Sequence, residues 1–356
     1  MQFVDIEPTI ENYWRAIILF GRNSASYKFA LAKSLIDISL ERDEDFIRLE
    51  DLAVPYARHL CEHVKTHPKQ STAQSSRFLT ACDSFNQGLI SHDQLQELTV
   101  REGFKYVLDA FHTVNAQAVN RQFFEVLDKS FYIDERKKGK GIRLTDHLFE
   151  LFHVFDHSAA SLNQETEARW RLVETAWDLN VNKRLIHIDY DVVSQELFAH
   201  SGLERISITS SRDALNGYQK SRCFYCFKAI SLVTHDHKLA DVDHFFPHIL
   251  KPQVVQTNCC QPVNVDGIWN LVLSCKECNR GEGGKFTQIP KPNLLARLSQ
   301  RNEYLTTSHH PLRETLIKQT GASRQHRSAF LQKAYDFSKE RLIHTWQPKP
   351  EGFMGL

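Results

Sequence analysis

The sequence predicts a mainly helical chain carrying one small α+β module, and three observations predict it. Through the first two hundred residues, apolar side chains recur at helical spacing with little sustained β-type alternation. Two Cys-x2-Cys pairs, Cys223/Cys226 and Cys275/Cys278, then bracket two short β-prone runs. Beyond residue 290 the pattern returns to basic amphipathic segments. The chain therefore divides into a helical domain over 1–216, a compact module over 217–290, and a basic helical extension over 291–356 that packs on the module.

From Ile10 to about Leu40, Tyr13, Ile17, Phe20, Phe29, Leu31, Leu35 and Ile38 predict a helical pair, punctuated by Gly21 and Asn23. Thr66 to Ser76 reads as a loop, and Glu135 to Gly141, rich in lysine and glycine, as a mobile basic turn. Helical spacing continues through Phe104–Phe111, Phe123–Leu127, Leu148–Phe155 and Glu165–Leu179. The Ser, Thr and Asn content of Ser207 to Gly217 predicts the first domain boundary. Val242 to Phe246 is β-prone and ends at Pro247, and Trp269 to Leu273 is a second short strand. Helices are expected over Asn293–Gln300 and Ser323–Thr345.

The formal charge of the 356 residues is only +1, but it divides unevenly. Up to residue 216 there are 25 basic and 32 acidic residues; beyond it there are 19 and 11. A basic carboxy-terminal part suits a polyanionic partner, whereas the acidic part is a poor surface for nucleic-acid backbone. The first residues carry no leader pattern and no segment reaches membrane-spanning length, so a soluble, cytoplasmic protein is expected. A reducing compartment would keep Cys61, Cys82, Cys259 and Cys260 as thiols.

Each cysteine pair sets two sulfurs at the spacing of a tight metal-binding turn, and four thiolates suit tetrahedral Zn²⁺. Four sulfurs leave no site open for water, so the expected role is structural. Buried free cysteines are the competing reading, against which Lys276 and Glu277 between two of them suit a surface knuckle. Chemistry then falls to residues between the pairs. A neutral His244 can take a proton from water near neutral pH. Asp243 and the side-chain carbonyl of Asn279 offer hard oxygens to Mg²⁺. Neighbours on a regular strand face opposite ways, so Asp243 and His244 converge only if the strand end is irregular.

Residues 223 to 286, with Asp241-Val-Asp243-His244 before Asn279-Arg280-Gly281 and Lys285, resemble the HNH, or ββα-metal, endonuclease family in its four-cysteine zinc-bound bacterial form. The stretch is also similar to the HNH domain of RNA-guided CRISPR nucleases. The resemblance implies His244 as general base, Asp243 and Asn279 as ligands of a single catalytic Mg²⁺ or Mn²⁺ ion, and Asn270 as the asparagine that orients the base or its loop. It implies hydrolysis to 5′-phosphate and 3′-hydroxyl ends. Double-stranded DNA is the expected substrate, with His248, Arg280 and Lys285 as candidate phosphate contacts. Arg297, Arg301, Arg324, Arg327 and Lys333 would extend that surface, unless they are ordinary solvated charges. The segment Ile249 to Ile268 exceeds what a compact member needs and reads as an insertion, the alternative being a loop that carries substrate contacts.

A helical accessory domain on such a module resembles bacterial restriction and anti-phage effectors. It would bind a partner protein, a nucleic-acid feature or a second copy of itself. The alternatives are a zinc-stabilised nucleic-acid-binding or scaffolding protein with an inactive motif, and an RNA-cleaving enzyme. His153 and His157 lie one helical turn apart without the glutamate of a metalloprotease motif, and take no metal role. The Lys137 to Gly141 run lacks the order of a phosphate loop.

Overall fold

In a computed structural model, the described residues are all but 1–7, 22–24, 74, 115–129, 154–155, 179–187, 202–203, 234, 251–264, 308–310 and 350–356. They form two compact units, Met1–Val181 with Thr307–His309, and Asn182–Thr306 with His310–Leu356. Secondary structure is mostly helical with small sheets, as the hydrophobic periodicity predicts. No helix among the described residues is long and apolar enough to cross a membrane.

In the first unit the predicted helical pair is α1 (Ile10–Phe20) and α2 (Tyr27–Glu41). Thr9 caps α1, its hydroxyl accepting from the Asn12 N–H at 3.3 Å. Strand β1 (Phe46–Arg48) leads into α3 (Leu49–Thr66), followed by α4 (Arg77–Asn86), α5 (His92–Leu98) and α6 (Val107–Ala110). Ser91 and Gln94 close a reciprocal capping box at the start of α5. Strands β2 (Tyr132–Asp134) and β3 (Gly141–Leu144) complete an antiparallel sheet of order β1-β3-β2.

The stretch expected to be a mobile basic turn folds as one helical turn, α7 (Arg136–Gly139). Arg136 anchors it through Asp134 at 2.6 Å and Asp109 at 2.6 Å. Helices α8 (Asp146–His153) and α9 (Asp156–Asp178) follow. Trp14 centres the core, edge-on to Phe111, Phe131 and Phe152 at 5.8, 5.1 and 5.3 Å. Arg15 is buried against Glu165 at 2.9 Å, tying α1 to α9. The expected helix over Phe123–Leu127 and the side chains of His153 and His157 lie outside the described residues.

The second unit opens with an antiparallel meander of β4 (Ile188–Tyr190), β5 (Glu196–Ser201) and β6 (Glu204–Ser210). Helix α10 (Ser211–Gln219) starts directly after it. The boundary expected at 216/217 therefore lies inside continuous structure, and the units divide between 181 and 182. The serines that suggested a linker form a helix start: Ser210 Oγ accepts from the Arg212 N–H at 3.2 Å. Strand β4 belongs to the second unit because the Ile188 N–H donates to Thr315 at 3.3 Å and Tyr190 packs 5.9 Å from the His244 ring.

Strand β7 (Asp241–His244) pairs antiparallel with β8 (Leu271–Ser274), Asp241 opposite Ser274 and His244 opposite Leu271. Helix α11 (Lys276–Arg280) follows at once, then β9 (Ile289–Pro290). Gln219 of α10 acts as a short strand edge beside β8: its amide accepts from the Leu273 N–H at 2.7 Å and donates to the Leu273 carbonyl at 2.8 Å.

The residues from 291 onward form α12 (Pro292–Thr307), α13 (Pro311–Thr320), α14 (Arg324–Arg341) and β10 (Thr345–Trp346), which pairs parallel with β9. They close around the hairpin. Asn302 donates to the Trp269 carbonyl at 3.0 Å, Trp346 donates to the Gly283 carbonyl at 2.7 Å, and Phe330 packs edge-on to Trp269 at 4.9 Å.

Candidate metal centre and histidine site

The four predicted cysteines meet. Their sulfurs lie within 4.8 Å of one another, and Cys226 and Cys275 are 3.7 Å apart. A ZnS₄ tetrahedron with the usual metal–sulfur bond has an edge of about 3.8 Å. A disulfide would instead require about 2.05 Å. The sulfurs therefore fit a structural metal such as zinc in number, kind and spacing. Among the described residues, this is the one group of three or more His, Cys, Asp and Glu side chains arranged to hold an ion.

Local backbone bonds build both knuckles. The first is a turn in which the Cys223 N–H donates to Lys228 at 2.8 Å and the Phe227 N–H to Cys223 at 3.0 Å, with Phe227 left-handed at φ 62°. The Phe224 N–H donates to the Leu273 carbonyl at 2.9 Å, drawing this turn to the end of β8. The second pair straddles the start of α11. Arg297 of α12 clamps the first knuckle, donating to the carbonyls of Phe224 and Tyr225 at 2.6 and 2.8 Å and lying over the Phe227 ring at 4.0 Å.

This geometry corrects the reading of the basic helices. Arg301 is buried and donates to Leu271 at 2.6 Å, while Arg327 pairs with Glu303 at 2.7 Å. Arg297, Arg301 and Arg327 are internal clamps rather than a nucleic-acid surface, because helix-end and loop carbonyls needed donors. Only Arg324 and Lys333 of the five are exposed.

Strand β7 stays regular through His244, and its side chains divide between two environments. Asp243 accepts from the Tyr225 hydroxyl at 2.6 Å and pairs with Lys285 at 3.3 Å. Burial raises its carboxyl above the ordinary aspartate range, which Lys285 and Tyr225 only partly offset. Asp241, two residues earlier on the same face, pairs with Arg280 at 2.9 Å and accepts from the Asn279 amide at 3.1 Å. His244 points elsewhere: its Nε2 lies 3.1 Å from Asp266 Oδ1. The irregular strand end that would bring Asp243 and His244 together is not formed.

Lys285 is the sharpest departure from expectation. Proposed as a phosphate contact, its side chain is wholly buried. The glycine turn sends it inward: Gly283 is left-handed at φ 72°, Gly284 leaves no room for a Cβ beside the Glu277 and Gly281 carbonyls, and the Lys285 N–H returns to Cys278 at 2.7 Å. Arg280 keeps an exposed side chain, and His248 is half-exposed.

Asn270 is fully buried and touches no solvent. Its Oδ1 accepts from the Phe246 N–H at 2.8 Å, and its Nδ2 donates to the carbonyls of Phe246 and Val265 at 2.9 and 2.8 Å. It holds the turn after His244 against the turn before itself.

Asp266 and Tyr225 went unnoticed in the sequence. Asp266 stands before Gly267 and four positions ahead of Asn270, a turn signal inside the segment read as an insertion. Cys259 and Cys260 of that segment lie outside the described residues. Tyr225 sits between Cys223 and Cys226, where a buried hydroxyl requires a partner, and it donates to Asp243 at 2.6 Å. No family model matches this chain, and no curated protein or solved structure matches it either.

Proposed function

We propose that the second unit is a nuclease of the HNH, or ββα-metal, type that hydrolyses phosphodiester bonds of DNA, with His244 as general base. The observation that carries this reading is a hairpin and short helix, β7, β8 and α11, joined at a four-cysteine centre, with His244 at the strand end hydrogen-bonded to a carboxylate. A ring held in this way takes the proton of a water attacking phosphorus. Asn270 keeps its loop in place, and Arg280 and His248 are the accessible candidates for phosphate contact.

Asp241 and Asp243 offer hard oxygens along one face of β7, and Asn279 of α11 lies beside them with its amide nitrogen donating to Asp241 at 3.1 Å. Two carboxylates with a side-chain carbonyl are a donor set that suits Mg²⁺ or Mn²⁺. Asp243 and Asn279 would hold the ion, which when bound supplies positive charge to the scissile phosphate. Lys285 would first have to release Asp243, and the end of β7 would have to bend so that Asp243 and His244, which here face opposite ways, meet at one phosphate. The Lys285–Asp243 ion pair is the observation favouring the second reading, a zinc-stabilised nucleic-acid-binding protein without activity. RNA cleavage is the third, since attack by water needs no 2′-hydroxyl. In the first reading the helical unit selects the target or trigger, through a partner protein or self-association, in a restriction or anti-phage defence role.

The test is cleavage of supercoiled plasmid with Mg²⁺ or Mn²⁺, comparing the parent with a folded, zinc-loaded His244→Ala protein. The parent is expected to cut and the variant to be silent. Retained DNA binding without cutting by either, on DNA or RNA, would favour the binding protein.

A further inference from the structure

We infer that Asp266 is the positioning residue for His244, fixing the ring so that Nε2 carries the hydrogen and Nδ1 is the basic nitrogen. The inference rests on the nuclease reading for its kinetic consequence, but not for its geometry. Asp266 Oδ1 lies 3.1 Å from His244 Nε2 and 3.4 Å from His248 Nε2. An ionised carboxylate only accepts, so the imidazole nitrogen facing it is the one bearing hydrogen. In a neutral ring the other nitrogen is then the acceptor.

The pair comes from residues 22 apart in sequence, both nearly buried. One amide fastens both backbones: Asn270 bonds Val265, the neighbour of Asp266, and Phe246, two residues beyond His244. Tyr190 packs on the same imidazole at 5.9 Å and His248 at 5.5 Å, limiting ring rotation. A carboxylate behind an imidazole, within packed rings, sets both tautomer and direction. His248 shares that oxygen but remains half-exposed, so it is not the ring being held for chemistry.

The experiment uses the full zinc-loaded chain and its Asp266→Ala, Asp266→Asn and His248→Ala variants. Ring ¹⁵N shifts of His244 are read above the imidazole titration range, and plasmid cleavage kinetics are measured in parallel. Nε2–H His244 is expected in the parent and in His248→Ala, with mixed tautomers in Asp266→Ala. Cleavage by Asp266→Ala should lose kcat by about a hundredfold, the cost of a misplaced catalytic group, with KM held within about twofold. Asp266→Asn, whose amide oxygen still accepts, should recover about tenfold of that loss. An Nδ1–H ring in the parent, unchanged tautomers in Asp266→Ala, or an Asn variant no better than Ala would overturn the inference. A parent that cuts nothing would sink the nuclease reading, while the ring shifts would still judge Asp266.

Discussion

Replacing Asn270 by alanine tests whether this residue is structural support or a direct participant. The side chain is fully buried and makes three hydrogen bonds, all to backbone groups of the turns beside His244 and Asp266. Truncation strands one N–H and two carbonyls away from solvent. At about 1–3 kcal/mol for each unsatisfied group, and with a water able to recover part of that, the expected cost is about 3–6 kcal/mol. Urea unfolding of the second unit, followed through buried Trp269, measures it. Hydrogen exchange at the Phe246 amide supplies the local readout, since Asn270 Oδ1 is its acceptor. Asn270→Asp should be no better at neutral pH, because it turns two donated bonds into repulsion against the carbonyls of Phe246 and Val265. A destabilisation below about 1 kcal/mol, or unchanged protection at Phe246, would refute the reasoning.

Chelation should remove one zinc per chain and unfold the second unit while leaving the first unit's transition in place, since structural zinc contributes apparent binding energies of about 10–16 kcal/mol. Metal analysis with unfolding curves checks this, and an unmoved second-unit transition would contradict it. Burial drops the Lys28 ammonium from the 10.5 of a free lysine to about 7, with the Thr113 carbonyl at 3.1 Å as acceptor. Below that value the unit bears the full cost of a buried charge, and between about 7 and 10.5 the unfolded chain binds the extra proton, so stability rises with pH. Lys28→Met should therefore stabilise the first unit by about 4 kcal/mol at pH 7, an advantage that disappears by about pH 10.5 in a pH series of urea melts. Arg297→Ala should cost the second unit about 2–4 kcal/mol by orphaning two knuckle carbonyls, without changing the salt slope of DNA binding. Arg324→Ala and Lys333→Ala should leave stability unchanged, and either one that removes a bond to phosphate should lower that slope by about one.

Much of the site was legible because its signals are local. The spacing within each cysteine pair aims two sulfurs from one turn, and that is a property of a few consecutive dihedrals. The same holds for α1, whose apolar spacing and Thr9 cap are local, and for the apolar spacing of α2 and the β-prone runs that become β7 and β8. Exposure and partner choice were not legible. Lys285 and Arg280 look alike as basic residues beyond the last cysteine, yet one is wholly buried on Asp243 and the other extends to solvent from Asp241. The residues from Ser207 to Gly217 have a linker's composition, but their serines serve a strand-to-helix junction.

By itself the sequence determined the helical class, the spacing of the four cysteines and a short strand at His244, expected to run on to Phe246 but ending at His244 in the fold, since periodicity, ligand spacing and turn chemistry act over a few residues. Only the tertiary structure decided what each polar group faces. It turned Asp243 toward Tyr225 and Lys285, brought Asp266 to His244, and drew Arg297 and Arg301 inward. The physical reason is that a buried donor or acceptor must find a partner wherever the folded chain supplies one. That partner is fixed by packing between distant segments, which no local pattern encodes.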